Sequence, residues 1–258
     1  MMFANYHTHT ARCHHAGGTE REYIEKALEA GISVLGFSDH VPYPFPKNFY
    51  SNFRMRLQEA DDYVATLSAL RTEYQSDIQI LIGFEAEYYP DLFSSMLDDL
   101  QPYPYEYLIL GQHFLENEMS GLYSGTPTNQ ERILQLYVDQ TIAGMKTGKF
   151  TYLAHPDLLH FTGSPEIYRR HMTRLCVCAL EMGMPLEINH LGLSDHRSYP
   201  DGRFFQIAAE IGNTVIRGCD AHNPAAMNDQ ATFALSKNFA AKYQLHLVDQ
   251  VRLINPKS

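Results

Sequence analysis

Met2-Phe3-Ala4-Asn5-Tyr6-His7-Thr8-His9 opens the chain with a short apolar run that ends on two histidines. The layout recurs. Val34-Leu35-Gly36-Phe37-Ser38 leads to His40, Ile80-Leu81-Ile82-Gly83-Phe84 to Glu85, and Tyr107-Leu108-Ile109-Leu110-Gly111 to His113. Thr151-Tyr152-Leu153-Ala154 leads to His155, and Val215-Ile216-Arg217-Gly218-Cys219 to Asp220 and His222. Short, near-continuous apolar runs suit parallel strands covered on both faces. One His, Asp or Glu at a strand end would be chance. At the end of nearly every strand, such residues imply one polynuclear metal site at one end of a barrel, because barrels draw their catalytic groups from the C-terminal ends of many strands.

Strands are predicted near 2–6, 33–38, 78–84, 106–111, 150–154, 185–189 and 213–218. Helices fill the intervals. The first starts at a capping box, Thr19-Glu20-Arg21-Glu22, and stops at Gly31. Others are predicted near 55–75, after Pro90, and at 129–147, 165–182, 201–211 and 228–242, while the tail 244–254 is apolar enough to add a strand. A Pro-rich loop (41–46) and a Gly/Ser/Thr-rich loop (116–128) follow the second and fourth strands. No glycine-rich phosphate loop follows the first strand, which disfavours an open doubly wound sheet. The expected fold is α/β, a distorted (β/α)7 barrel, with the whole chain 1–258 as one domain because no linker or composition break divides it.

Apolar content of 45% and charged content of 19% are globular values. A net charge of −10 disfavours a nucleic-acid partner, which would need a basic patch. No apolar run approaches a membrane span, so no membrane partner is expected. The N-terminus carries no basic segment followed by a long apolar core, so the expected location is cytoplasmic. Cys176 and Cys178 stand two apart in a helical pattern and suit neither a disulfide nor a shared metal. Cys13 and Cys219 are read as small packing residues. Oligomeric state is not legible.

His7 and His9 alternate along a strand, so both imidazoles project to one side and can grip one ion. HxH alone is weak, but Asp220-Ala221-His222 supplies a second pair at the other end of the sequence. Glu85 follows five apolar residues, where an unpaired carboxylate would be costly to bury, so a metal is its natural partner. Glu87 fits a surface acid. With His113 and His155 these residues form the nitrogen-and-carboxylate set that Zn, Mn or Fe accepts. His15 joins the ligand candidates, with His14 as its alternative. His190, at a predicted strand end, is a candidate for substrate contact. His160, His171, His196 and His246 are read as non-ligands, His171 on a helix and His246 in the tail as surface or packing residues.

These motifs resemble the polymerase and histidinol phosphatase (PHP) superfamily, and within it the monofunctional histidinol-phosphate phosphatases. The resemblance spans the chain: His7-Thr8-His9-Thr10, Cys13-His14-His15, Ser38-Asp39-His40-Val41-Pro42, Gly83-Phe84-Glu85-Ala86-Glu87-Tyr88, Gly111-Gln112-His113-Phe114, Ala154-His155-Pro156-Asp157, Glu187-Ile188-Asn189 and Gly218-Cys219-Asp220-Ala221-His222. It implies a distorted (β/α)7 barrel holding three divalent metal ions, Zn, Mn or Fe. His7, His9, Glu85 and Asp220 would hold the first. Glu85 would bridge to the second, completed by His113 and His155. His15, His40 and His222 would hold the third. The implied activity is hydrolysis of L-histidinol phosphate to L-histidinol and phosphate, a step of histidine biosynthesis. The alternative is another small phosphomonoester or a nucleotide.

Clustered divalent ions acidify a bridging water and neutralise phosphate charge, so the expected nucleophile is a metal-bridging hydroxide. No Ser or Cys stands in a nucleophile motif. Phosphate also favours arginine, and Arg12, Arg54 and Arg197 are the loop candidates. Arg197, in His196-Arg197-Ser198-Tyr199-Pro200, fits the branch pattern best. Leu158-Leu159-His160-Phe161 offers no arginine where some relatives carry one. Asp39 is the candidate proton donor to the leaving alkoxide. Glu87, Glu187 or Asp195 would form an acidic rim for the substrate's ammonium and imidazole. A metal-dependent amidohydrolase is disfavoured because no strand end offers a bridging Lys, and a non-catalytic relative would have lost ligands.

Overall fold

The computed structural model describes residues 2–46, 49–119 and 121–258. Among these residues eight parallel strands run in sequence order through one curled sheet: β1 Ala4–Asn5, β2 Val34–His40, β3 Gln79–Ala86, β4 Tyr107–Leu110, β5 Tyr152–Leu153, β6 Leu186–Asn189, β7 Thr214–Gly218 and β8 His246–Leu247. Helices α1 Glu20–Glu29, α2 Ala60–Glu73, α3 Phe93–Leu100, α4 Glu131–Lys146, α5 Pro165–Glu181, a short α6 His190–Ser194, α7 Gly202–Ile211 and α8 Gln230–Lys242 occupy the crossovers. The predicted capping box starts α1: the Thr19 side chain accepts from Glu22 N–H, and the Glu22 carboxylate accepts from Thr19 N–H at 2.7 Å. No helix among the described residues is long and apolar enough to cross a membrane. All four cysteines are free and buried.

Strand periodicity sorts side chains into two layers. Leu35, Phe37, Ile80, Ile82, Leu108, Leu110, Leu186 and Ile188 face the helices in the larger core. Ala4, Tyr6, Val34, Leu81, Tyr107, Ile109, Tyr152, Ala154 and Ile216 fill the barrel interior. A period of two therefore carries the interior face from Leu81 through Gly83 to Glu85 and from Val34 to His40. Interior positions at the C-terminal strand ends become polar, and this sets where the site lies.

The barrel is distorted at its seam. β7 returns to the chain's start through a single parallel bridge, Thr8 to Ala221, with His9 N–H donating to Ala221 O at 3.0 Å. At the opposite end β8, the strand suspected in the tail, pairs with β7 instead. Val248, Val251 and Leu253 then cover the interior cluster from below. The expected (β/α)7 barrel is thus present, with an eighth short strand at its edge.

Candidate metal centre and substrate cavity

His7, His9, Glu85 and Asp220 come from three strand ends and meet inside the barrel. His7 Nε2 lies 3.4 Å from both Glu85 Oε2 and Asp220 Oδ1, and His9 Nε2 lies 3.5 Å and 3.2 Å from the same atoms. Ligands at about 2.0–2.1 Å from a tetrahedral ion stand about 3.3 Å apart, so this spacing is that of a coordination shell. Gly111 lets Glu85 in: a β-carbon there would sit 2.0 Å from Glu85 Oε1. Asp220 and His155 hold positive φ values of 49° and 27°, a region disfavoured for residues with a β-carbon and found where a site dictates backbone direction.

Glu85 reaches a second group through its other oxygen. Oε1 lies 2.8 Å from His155 Nε2 and 3.6 Å from His113 Nε2. His15, His40 and His222 gather beside His9, with His15 Nε2 and His222 Nε2 2.9 Å apart. His40 Nδ1 also stands 3.2 Å from Glu85 Oε2. All nine sequence-predicted ligands therefore fall in one continuous cluster. His14 stays outside it, beside Tyr50 and Glu59.

Neighbours orient the ring nitrogens. His7 Nδ1 faces Glu187 Oε1 at 2.8 Å, His113 Nδ1 faces Glu87 Oε1 at 2.9 Å, His15 Nδ1 faces Cys13 O at 2.8 Å and His222 Nδ1 faces Asp220 O at 3.0 Å. A proton held on Nδ1 by such an acceptor leaves the Nε2 lone pair for a metal. Further in, His7 Nε2, His9 Nε2, His40 Nδ1 and Glu85 Oε2 are buried with no hydrogen-bond partner among the described residues. Four orphaned buried atoms at one point would each cost about 1–3 kcal/mol. A divalent cation satisfies all of them, and the donor set fits one.

The electrostatics agree. Burial alone would push His7 down, but Glu187, Asp220 and Glu85 raise it well above its usual value. Burial opposes ionisation of Glu85, yet His113, His7 and His40 hold it well below the ordinary carboxylate range. Asp220 is likewise lowered despite burial, by His7, His9 and His222. These are charged carboxylates in a buried space, which draws cations.

A cavity of about 510 Å³ opens over the cluster. Its floor includes His15, His40, His113, His155, Asp220 and His222, and its walls include Phe53, Phe114, Tyr123, Leu191, Asp195, Arg197 and Tyr199. Of the three predicted arginines, Arg197 lines it, with Asp195 at 2.8 Å and Tyr199 OH at 3.0 Å. Arg12 leaves the 3-10 turn Ala11–Cys13 toward α1 and α2 and pairs with Glu20 and Asp62. Arg54 is buried, bonded to Glu87 at 2.9 Å and Glu118 at 2.8 Å. Neither is among the cavity-lining residues. Asp39 is buried beneath the cluster, accepts from Thr10 and His40 N–H, and lies 3.5 Å from His9 Nδ1. His190 lines a separate cleft of about 220 Å³ that shares Asp220 and His222 with the main cavity. Both its ring nitrogens lack hydrogen-bond partners among the described residues, and burial first, then Arg217, lowers it to about 3.

The acidic rim divides. Asp195 lines the cavity, but Glu87 and Glu187 are fully buried, so Glu87 is no surface acid. Glu187 accepts from His7 Nδ1, Tyr152 OH, the His155 N–H and Asn189 Nδ2. Asn189 Nδ2 also donates to Asp220 Oδ2 at 3.1 Å. The signal was available: Glu87 and Glu187 stand on the interior face by the period of two.

The PHP domain family matches residues 5–191, and this chain belongs to that family. A probable histidinol-phosphatase of Deinococcus radiodurans is 29% identical over 84% of this chain and 85% of its own length. The histidinol-phosphatase of Bacillus subtilis is 26% identical over 86% of this chain and 94% of its own. The histidinol phosphate phosphatase of Lactococcus lactis subsp. lactis, solved with zinc, L-histidinol and phosphate, superposes with a TM-score of 0.74 at 16% identity, covering 97% of this chain and 99% of that one. This last likeness speaks to fold.

Proposed function

We propose that this protein is a metal-dependent phosphoric monoester hydrolase that converts L-histidinol phosphate to L-histidinol and phosphate. The carrying observation is the cluster itself: unpartnered nitrogen and carboxylate atoms, spaced as a coordination shell, under a cavity that presents one arginine. The relatives supply the substrate, because curated histidinol-phosphatases cover most of the chain. Three ions are the reading the ligand groups support: one among His7, His9, Glu85 and Asp220, one among Glu85, His113 and His155, and one among His15, His40 and His222. The set accepts Zn, Mn or Fe.

Bound divalent ions would supply Lewis acidity, lowering the pKa of water and neutralising phosphoryl charge. The protein's own groups do the rest. Arg197 faces the cavity with its guanidinium held by Asp195 and Tyr199, ready for an equatorial phosphoryl oxygen. Glu187 and Glu87 orient His7 and His113 from behind through their Nδ1 atoms, and Asp39 stands 3.5 Å from His9 Nδ1. In this reading Asp39 is a positioning residue and not the proton donor, since it stands outside the cavity. Arg54 acts on His113 through Glu87, and Arg12 has no part in binding phosphate.

The test is phosphate release after loading with Mn, Zn or Fe. L-histidinol phosphate is run beside O-phosphoethanolamine and β-glycerophosphate. A kcat/KM for L-histidinol phosphate well above both supports the assignment. Even, weak activity across the panel would retain the reaction class and overturn the substrate. His9→Ala and Glu85→Ala should abolish hydrolysis in a folded barrel. Retained activity with full metal content would remove the site.

A further inference from the structure

The cavity has two unlike walls. One carries Asp195, Arg197 and Tyr199; the other is aromatic, built from Phe53, Phe114 and Tyr123. Phe53 packs edge-on to His40 at 5.1 Å and lies 5.7 Å from Phe114, which lies 5.5 Å from Tyr123. Arg54 stacks over Phe53 at 4.4 Å from its centroid, so one face of that ring is taken. Among the described residues no such cation lies over Phe114 or Tyr123. Phe114 is half-buried and Tyr123 is 40% exposed, although both line a cavity over buried histidines.

The wall is also anchored to the centre. Phe114 follows His113 directly and pairs with Tyr123 through an antiparallel bridge, while Ser124 N–H donates to His113 O at 2.7 Å and Ser124 Oγ donates to Gln112 O at 2.8 Å. Rings held by strand-like pairing lose little freedom when they stack on a ligand. Offset or edge-on aromatic contacts, at centroid separations of about 4.5–7 Å, contribute about 0.5–1.5 kcal/mol each beyond buried area.

We infer that Phe114 and Tyr123 are specificity-determining residues that seat the flat heteroaromatic ring of the substrate's alcohol portion, in the same cavity as the arginine that takes the phosphate. The inference rests on the L-histidinol phosphate assignment and adds how the site would select for it. A phosphomonoester without a ring would meet the same ions and the same arginine but leave this wall unused.

The experiment compares wild type with Tyr123→Ala, Phe114→Leu and Tyr123→Phe in the metal-loaded enzyme. It reads KM and kcat for L-histidinol phosphate, and the inhibition constant of inorganic phosphate as the ring-free probe. Each of the first two variants should raise KM about two- to tenfold, from the energy of one aromatic contact. The phosphate inhibition constant should stay at the wild-type value. Tyr123→Phe, which keeps the ring, should retain wild-type KM. Loss of phosphate binding in parallel with KM would mean general damage to the site and overturn the inference, as would an unchanged KM in both Tyr123→Ala and Phe114→Leu. A wild type with no preference for L-histidinol phosphate over O-phosphoethanolamine would instead remove the assignment beneath it. Metal content and thermal midpoint, measured on each variant, separate loss of the wall from loss of the fold.

Discussion

Glu187→Gln removes one charge and one atom's worth of hydrogen-bonding logic from the floor of the site. One Glu187 oxygen accepts from His7 Nδ1 at 2.8 Å and Tyr152 OH at 3.2 Å; the other accepts from His155 N–H at 3.0 Å and Asn189 Nδ2 at 2.9 Å. An amide must turn its NH2 toward one of these pairs. Turned to His7, it forces the proton onto Nε2, the nitrogen 3.4 Å from Glu85 and Asp220 that a metal would use. Turned the other way, it leaves the buried His155 N–H without an acceptor. Two hydrogen bonds to a buried charge, at about 1.5–3 kcal/mol each, put the stability loss at about 3–6 kcal/mol. Loss of a carboxylate behind a metal-bound histidine typically costs about 10- to 100-fold in metal affinity or activity. Calorimetric titration with Mn or Zn, phosphate-release kinetics and urea unfolding measure the three effects. Wild-type affinity and rate in folded Glu187→Gln would refute the reasoning, because His7 would then need no partner to present Nε2.

Three further outcomes follow from neighbouring features. Gly218→Ala would place a β-carbon 1.8 Å from Glu187 Oε1, so it should cost about 1–3 kcal/mol in urea unfolding and lower activity with it; unchanged stability and rate would contradict the packing. Thr19→Ala removes the α1 cap at a residue that does not line the cavity and should lose about 1 kcal/mol of stability with kcat unchanged. His190 has a folded pKa depressed from 6.5 to about 3 by burial, so the unfolded chain binds its proton first as pH falls. Its contribution is complete above about pH 6.5 and declines below it by about 1.4 kcal/mol per unit. His190→Phe should therefore flatten the acid limb of the stability curve, and coincident limbs would show that His190 does not titrate as buried.

Much of this was legible because the period of a strand is simple. Apolar runs ending in His, Asp or Glu named eight of the nine candidate ligands and the barrel together, Cys13-His14-His15 added the ninth, and the capping box placed α1. The losses share a cause. Arg12 sits in a 3-10 turn and Arg54 in a loop, where sequence gives proximity to a strand end but not the direction of a long side chain; ion pairs with Glu20 and Asp62, or with Glu87 and Glu118, decide that direction. Glu87 and Glu187 look like solvent acids by residue type. They are buried because a histidine proton, an arginine or a tyrosine from a distant segment meets each. Phe114 and Tyr123 join across a loop whose bridge leaves no periodic trace.

The Thr8–Ala221 bridge joins segments 213 positions apart, and each partner sits between two candidate ligands, His7 and His9 on one side and Asp220 and His222 on the other. Whatever cation these side chains share is therefore a clasp on the circumference of the barrel as well as a reagent. Its binding energy would be spent partly on loop closure of nearly the whole polypeptide, so occupancy and cooperativity of folding become one quantity. In such a molecule a chelator would lower the resistance to unfolding as well as the activity.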